Sequence, residues 1–459
     1  MEQDIKGKKV LVVGLAKSGT AAARLAAREG ARVTATDRRA ATELTQPLAE
    51  LAGTNASLAL GGHDERDFTS ADLIVLSPGV PMALPEIAAA RRQGVPVLAE
   101  VELAWRFLGR LPVVGITGTN GKSTTTALTG ELFRQDRRAF VGGNLGTPLC
   151  QLILSGREAD VAVVELSSFQ LEGIERFRPR VAAILNVTPD HLDRYAGVED
   201  YAAAKARLFM NQQAGDDAVA NVRDGRALAM AGASRGSLYT FGFGQTAPRS
   251  ARDPSSGDGP AQLLFTPRTG EAEAYQLRSR ALRGRHNREN ALAAILCARL
   301  LDVPQEKVQA GLDAFPGLPH RLELVHEAAG VEYVNDSKAT NVDSTQVGLA
   351  AFPPGKPSVI LIMGGRGKRA PYAPLRELFS NRVKALLTIG EDAPAIEQEL
   401  GGLCPTESCG DLAGAVQRAA RLAGDGDVVL LSPACASYDQ FKNYEERGEV
   451  FRRLVRALQ

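Results

Sequence analysis

Along the first hundred residues, short apolar runs alternate with longer alanine- and leucine-rich stretches. "KKVLVVG", "ARVTATD" and "ADLIVLSPG" each have the length of a strand and stop at a glycine or a polar turn, and helical segments lie between them. That cadence predicts strand-helix-strand units in a mainly parallel sheet, because parallel neighbours need a crossover that covers the faces of the sheet. The pattern returns in "PVVGITG", "DVAVVELSS", "RVAAILNVT" and "DDAVANV", and again in "GVEYVNDS", "SVILIMGG", "KALLTIGE" and "DVVLLSPA". An α/β chain of three domains is expected, over residues 1–100, 101–318 and 319–459. "NRENALAAILCARLL" reads as the helix closing the second unit, and "DAFPGLPHR" as a linker. Between Gly242 and Tyr275, glycine, proline and serine predict an exposed loop with a short hairpin.

Composition narrows the partners. The 459 residues are 44% apolar and 23% charged, which suits a soluble protein of roughly three domains at about 150 residues each. Lysine plus arginine (54) and aspartate plus glutamate (53) nearly cancel, so no global field draws the chain to nucleic acid or an anionic membrane. A small-molecule partner is expected. Five cysteines without C-x-x-C spacing argue against a disulfide framework or a zinc site. The charged start lacks a signal-type apolar region, and no apolar run reaches the ~20 residues of a membrane helix. The expectation is a cytoplasmic protein without membrane insertion.

The strongest motif is "GITGTNGKSTT". It departs from G-x-x-x-x-G-K-[ST] by one position, since Ile116 stands where the first glycine belongs and glycines lie at Gly115 and Gly118. Following a strand and opening a helix, Gly118, Thr119, Asn120, Gly121, Ser123 and Thr124 suit a phosphate cradle. Lys122 suits the terminal phosphates and the Ser123 hydroxyl suits magnesium. Further oxygen ligands belong at neighbouring strand ends, where Glu165 closes "DVAVVE" and Asn186, Asp190 and His191 follow "RVAAIL". Glu165 also fits a solvated strand end, and Lys205 in "YAAAKARLF" reads by default as a surface or snorkelling lysine.

The first glycine turn, Gly14 to Gly19 with Asp37 ending the next strand, has Ala16 where a dinucleotide fingerprint has glycine. That argues against a nicotinamide cofactor; a ligand-free turn or a pocket for another diphosphate, such as a nucleotide sugar, remains. The five arginines from Arg278 to Arg288 lack an aromatic stacking platform, so a solvated face or a nucleotide-facing helix start suits them better than RNA. In the third unit, "NDSKATN", "GGRGK" and "SPACASYDQFKNYEERG" each follow a strand, which suggests a composite site at one sheet edge.

In this order, "GITGTNGKSTT", "ELSSFQL", "NVTPDHLDRY", "AAKARLF", "RHNRENALAA", "LPHRLE", "NDSKATN" and "SPACASYDQFKNYEERG" resemble the Mur ligases over essentially the whole chain. "NDSKATN" resembles the branch that adds D-glutamate. The resemblance implies a Rossmann-like N-terminal domain, a central P-loop domain that binds ATP and a Rossmann-like C-terminal domain. It implies that Leu15, Ala16, Asp37, Arg38, Arg39, Ser77, Pro78, Gly79 and Asn144 serve a nucleotide-sugar substrate, UDP-N-acetylmuramoyl-L-alanine. Asn287, Asn290 and Arg321 would lie near ATP; Lys338, Thr340, Ser437 and Tyr444 would receive D-glutamate.

Lys122, Glu165, His191 and Lys205 are implied as the catalytic set. Ser123, Glu165, His191 and Lys205 would hold two Mg2+ ions, the lysine matching Lys205 being typically carbamylated in the family. Attack of the substrate carboxylate on the γ-phosphoryl group would give an acyl phosphate, which the amine then displaces. His191 and Asp190 both remain candidates for the amine proton. A monomer is expected, with closure of the third domain hinged near Gly317 to Pro319. One position departs from the family pattern: an acidic residue is expected in "GGRGK", where Arg366 stands.

Overall fold

The computed structural model describes residues 5–144, 146–191, 194–244, 249–254, 261–267, 271–368 and 370–458. It contains three sheets. The first comprises β1 (Lys9–Val13), β2 (Arg32–Asp37), β3 (Ser57–Leu60), β4 (Leu73–Leu76) and β5 (Val97–Ala99), in the order β3-β2-β1-β4-β5 with every pairing parallel.

The central sheet comprises β6 (Val113–Thr117), β7 (Ala139–Gly143), β8 (Val161–Glu165), β9 (Val181–Ile184), β10 (Asp217–Asn221), β11 (Ser237–Phe243), β12 (Ser250–Asp253), β13 (Ala261–Thr266) and β14 (Glu273–Leu277). Its order is β14-β13-β12-β11-β10-β9-β6-β8-β7. The third comprises β15 (Glu323–Ala328), β16 (Val331–Asn335), β17 (Val359–Gly364), β18 (Val383–Ile389), β19 (Thr406–Gly410) and β20 (Val428–Leu431), in the order β15-β16-β20-β17-β18-β19. There only β15–β16 is antiparallel.

The apolar runs become strands buried on both faces: every residue of β4 (LIVL), β8 (VAVVE) and β17 (VILIMG) is buried. Continuous rather than alternating hydrophobicity is what a parallel sheet covered by crossover helices requires. In such sheets ligands bind beyond the carboxyl ends where strand order reverses. The reversal lies at β1/β4 in the first sheet and about β6, between β8 and β9, in the second.

The first two sheets belong to one compact body, residues 1–254, 262–275 and 289–312, and the third to another, residues 255–261, 276–288 and 313–459. A single apolar cluster unites the first two. Val10, Val12 and Leu25 of the first sheet's layers join Leu152, Val164 and Ile184 of the second, and helix Lys17–Arg28 packs on helix Leu149–Ser155. Buried Glu102, on the connecting helix Glu100–Trp105, accepts N–H groups from Glu175, Arg176 and Phe177 at 3.0, 3.0 and 2.8 Å. A carboxylate enclosed by three N–H donors is well solvated without water, so the connector is tied down. The third sheet has an apolar cluster for each face.

The segment from Gly242 to Tyr275 meets expectation in part. The expected hairpin is present, β12 pairing antiparallel with β13, but these strands and most of β14 extend the central sheet rather than standing in an exposed loop. Leu263, Phe265 and Tyr275 are buried there, so alternate apolar positions prevail over the breakers around them. The parts of that segment at residues 245–248, 255–260 and 268–270 lie outside the described residues. Among the clustered arginines, Arg278 pairs with Asp313, and Arg280 and Arg283 pair with Glu332. The described cysteines are free. Among the described residues, no helix is long and apolar enough to cross a membrane.

Candidate active site

The central glycine loop leaves β6 after Thr117 and enters helix Lys122–Arg134. Ile116 is wholly buried in β6, paired with both β8 and β9, so the usual first-glycine position belongs to a central strand. Gly115 is a packing residue: a Cβ there would meet Leu208, Leu166 and Pro179 at 3.0–3.3 Å. Gly121 has φ +84 and caps the helix, and a Cβ on it would collide with Asn290 Oδ1. The cradle is therefore a shorter loop than the common motif, starting at Gly118.

Asn186, at the end of β9, braces this loop. Its Oδ1 accepts from the N–H of Thr119 (3.1 Å) and Asn120 (2.8 Å), and its Nδ2 donates to Asn120 O at 3.1 Å. Asn290 lies on the same body, accepting from the Thr125 hydroxyl at 3.2 Å. Lys122 Nζ donates to the carbonyls of Gly118 (2.9 Å) and Thr119 (2.7 Å). Ser123 and Thr124 occupy the first helical turn, at the positive end of the helix dipole.

Lys205 is no surface residue. Only 1% of it is exposed; its Nζ donates to Gly118 O at 2.9 Å and lies 4.5 Å from the centre of the Tyr201 ring. Burial, and then repulsion from Lys122, bring its pKa down to about 7, partly opposed by Asp190 and Glu165. Glu165 is likewise buried rather than a solvated strand end, with Oε1 accepting from Asn144 Nδ2 at 2.7 Å and Oε2 without a partner. A buried carboxylate oxygen left without a donor suits a cation ligand.

The described residues contain no group of three or more His, Cys, Asp and Glu side chains fit to hold a metal ion. His191 is half-exposed, with Nε2 3.6 Å from Asp190 Oδ2 and its ring 4.9 Å from that of Phe169.

In the first sheet, Asp37 closes the Gly14 turn. Its Oδ2 accepts from the Leu15 N–H at 2.7 Å, and Arg39 donates to both oxygens at 2.8–3.0 Å. Burial alone would raise its pKa, but these hydrogen bonds outweigh that and hold it at about 2. Ala16 is the N-cap of helix Lys17–Arg28, without a side-chain bond, and Arg38 is exposed. Beyond β4, Ser77 and Pro78 line a small cleft with Val80, Phe169, Gln170 and Arg194, and Gly79 lies in the same turn.

Ser77 Oγ and Gln170 Nε2 are buried there without partners. Gln170 was not singled out by the sequence. Its capping box with Ser167 (S-x-x-Q) was the available signal, although that signal indicates a helix start rather than a ligand.

In the second body, the turns after β16, β17 and β20 come together. Arg447, 1% exposed, donates to Ser337 Oγ (3.0 Å), Ser337 O (2.9 Å), Cys435 O (3.1 Å) and Gly364 O (3.4 Å). Lys338 Nζ lies 5.4 Å from the Tyr444 ring centre, Ser437 is buried, and Thr340 is half-buried on the same edge. Arg366 pairs with Glu391 in bidentate fashion at 2.8–2.9 Å, so a carboxylate is present beside this turn but comes from the end of β18. Asn287 donates to Arg283 O at 3.0 Å, and Arg321 has a buried Nε without a partner; both belong to this second body.

Family models match the chain in three consecutive stretches: a Mur ligase MurD-like N-terminal domain over residues 8–99, a Mur ligase middle domain over 116–298 and a Mur ligase glutamate ligase domain over 320–435. The chain is 73% identical over 454 residues to the UDP-N-acetylmuramoylalanine--D-glutamate ligase of Anaeromyxobacter dehalogenans, covering 98% of each chain. It is 54% identical over 461 residues to the ligase of the same name from Myxococcus xanthus, covering 99% of each. Among solved structures, a UDP-N-acetylmuramate-alanine ligase from Thermotoga maritima shares the fold, with a TM-score of 0.61 at 20% identity over 98% of this chain and 99% of that one. A short phosphate loop, a buried lysine and glutamate beside it, and full-length identity well above chance converge on one assignment: the chain belongs to the Mur ligase family.

Proposed function

We propose that the protein joins D-glutamate to the L-alanine carboxylate of UDP-N-acetylmuramoyl-L-alanine at the expense of ATP, in the making of peptidoglycan precursors. The single observation that carries this reading is the buried Glu165 Oε2, left without a partner beside a phosphate loop. The activity named for full-length relatives supports the choice of substrates. Domains at 1–100, 101–318 and 319–459 would bind the nucleotide sugar, ATP and the amino acid. A cytoplasmic monomer suits these small-molecule partners.

In this reading Leu15, Ala16, Asp37, Arg38, Arg39, Ser77, Pro78 and Gly79 hold the uridine diphosphate end. The carboxylate of Asp37 is already engaged by Leu15 and Arg39, so it shapes the pocket more than it offers free acceptors. Asn144 orients Glu165. Gly118, Thr119, Asn120, Gly121, Ser123 and Thr124 surround the phosphates, with Asn290 beside them in the first body; Asn287 and Arg321 are the nucleotide-binding candidates that the second body carries. Lys338, Thr340, Ser437 and Tyr444 receive D-glutamate.

A carboxylate has no leaving group for an amine to displace, so its oxygen attacks the γ-phosphorus and ADP departs. The neutral amine of D-glutamate then adds to the acyl phosphate carbon, the C–N bond forms, the nitrogen gives up a proton to His191, Asp190 or water, and phosphate leaves with the bonding pair of the broken C–O bond. Lys122, released from the Gly118 and Thr119 carbonyls, follows the charge on the transferring phosphoryl oxygens. Ser123, Glu165, His191 and Lys205 would hold two Mg2+ ions, which neutralise phosphate charge.

An ammonium cannot ligate a cation, so Lys205 must first lose its proton. Its pKa of about 7 leaves a neutral amine available near neutral pH, whose nitrogen adds to the carbon of CO2 and sheds a proton to give a carbamate anion. Enzyme equilibrated with 13C-bicarbonate should show a carbamate resonance that Lys205→Met abolishes. The overall reading is tested by phosphate release with the nucleotide sugar across D- and L-amino acids, with hydroxylamine trapping the acyl phosphate. Release should need both substrates and favour D-glutamate; equal rates with L-glutamate would overturn the assignment.

A further inference from the structure

Arg194 lies between two parts of the site in the first body. Its guanidinium carbon is 3.7 Å from the centre of the Phe169 ring, and Nη2 is 3.3 Å from Glu172 Oε2. Nη1 and Nη2 also reach the carbonyls of Pro78 and Val80, each at 3.5 Å. One planar cation thus spans the turn after β4 and the helix Ser168–Glu172 after β8. Lysine, a point charge on a flexible stem, could not stack and fork in this way.

The backbone of the same residue secures His191. The N–H groups of Arg194 and Tyr195 donate to His191 O at 2.9 and 3.1 Å, and Asp190 Oδ1 accepts the His191 N–H at 2.9 Å. His191 has φ +53, in the left-handed region that a non-glycine residue keeps only when its surroundings impose it. Phe169, stacked beneath Arg194, also lies against the His191 ring. Tyr195 adds a hydroxyl bond to Glu172, the carboxylate that Arg194 pairs with.

We propose that Arg194 is a positioning residue that couples the Ser77–Val80 turn to the left-handed His191 turn, so that filling the nucleotide-sugar site orders the catalytic edge of the central sheet. This rests on the function proposed above. A nucleotide sugar seated on the Ser77–Val80 turn meets carbonyls already held by Arg194, and restraint there is passed through Phe169 and the Arg194 backbone to His191.

The test uses the full chain and Arg194→Met and Arg194→Lys variants. Amide hydrogen exchange is followed over residues 186–201 with and without UDP-N-acetylmuramoyl-L-alanine, with neither ATP nor metal added, alongside steady-state kinetics and thermal melting. In the unaltered protein the nucleotide sugar should slow exchange in this segment. Both variants should lose that protection and about tenfold in kcat, with KM for D-glutamate unchanged and melting near that of the parent. Should Arg194→Met fail to fold, Arg194→Lys decides. Protection that persists in the folded variants overturns the coupling, as does a parent that makes the amide without showing protection. A parent that makes no amide overturns the proposed function instead.

Discussion

Two turns in this chain share one plan, a parallel strand, a glycine turn and a helix, yet they handle charge in opposite ways. At Gly14 the nearby carboxylate, Asp37, is satisfied by the Leu15 N–H and by Arg39, and its acidity is strengthened accordingly. At Gly118 two lysines converge on one carbonyl, one of them buried and weakened as a base, beside a glutamate oxygen without a donor. The first turn is electrostatically complete without a ligand. The second leaves a buried carboxylate oxygen unpaired beside two crowded cations, so incomplete pairing, more than the glycine pattern, is what favours it as the site of the proposed chemistry.

The sharpest way to break that comparison is Lys122→Met. Phosphate release should fall by about 10³-fold, while calorimetric affinity for the nucleotide sugar changes by less than about twofold. A fall of only a few-fold would remove Lys122 from the transferring phosphoryl group.

A smaller effect is expected from Lys205. The folded group loses its proton near pH 7, whereas the unfolded lysine keeps it up to its ordinary 10.5. The unfolded chain therefore binds more protons between those values, and stability rises with pH across that window. Below it the full cost of the buried charge is felt. In carbonate-free buffer, Lys205→Met should gain about 2 kcal/mol more over the parent at pH 6.5 than at pH 9 in urea melts. Parallel pH profiles would show that the lysine is not desolvated as described.

The smallest effect is expected at the complete turn. Asp37→Asn should cost about 1 kcal/mol in urea melts at pH 7, chiefly through the Leu15 N–H, because half-exposed Arg39 is screened by water. The contribution of Asp37 is fully present above its ordinary pKa of 3.8 and is lost as pH falls through about 2. A variant as stable as its parent would mean that this turn does not depend on its carboxylate.

Local pattern revealed the strands and the loop because each is written in consecutive residues. β4, β8 and β17 are contiguous apolar runs, and Lys122 stands at a set distance from Gly118 and Gly121. Over Gly242 to Tyr275 local pattern indicates the hairpin but not its place in the central sheet, because the burial of Leu263 and Phe265 depends on a sheet already in place. It also passed over Gln170, whose unpartnered Nε2 acquires meaning only from facing the cleft beside Ser77.

By itself the sequence determined the α/β class, the three runs of strands, the phosphate loop and, through its motifs, the family. Those signals are local, because periodicity and turn chemistry act over a few residues. Only the tertiary structure decided that Gly115 is packing, that Glu391 supplies the carboxylate beside Arg366, and that Lys205 is buried against Gly118 and Tyr201 rather than solvated. Burial and charge pairing arise between residues far apart in the chain, and a lysine becomes a weak base only where folding removes its water.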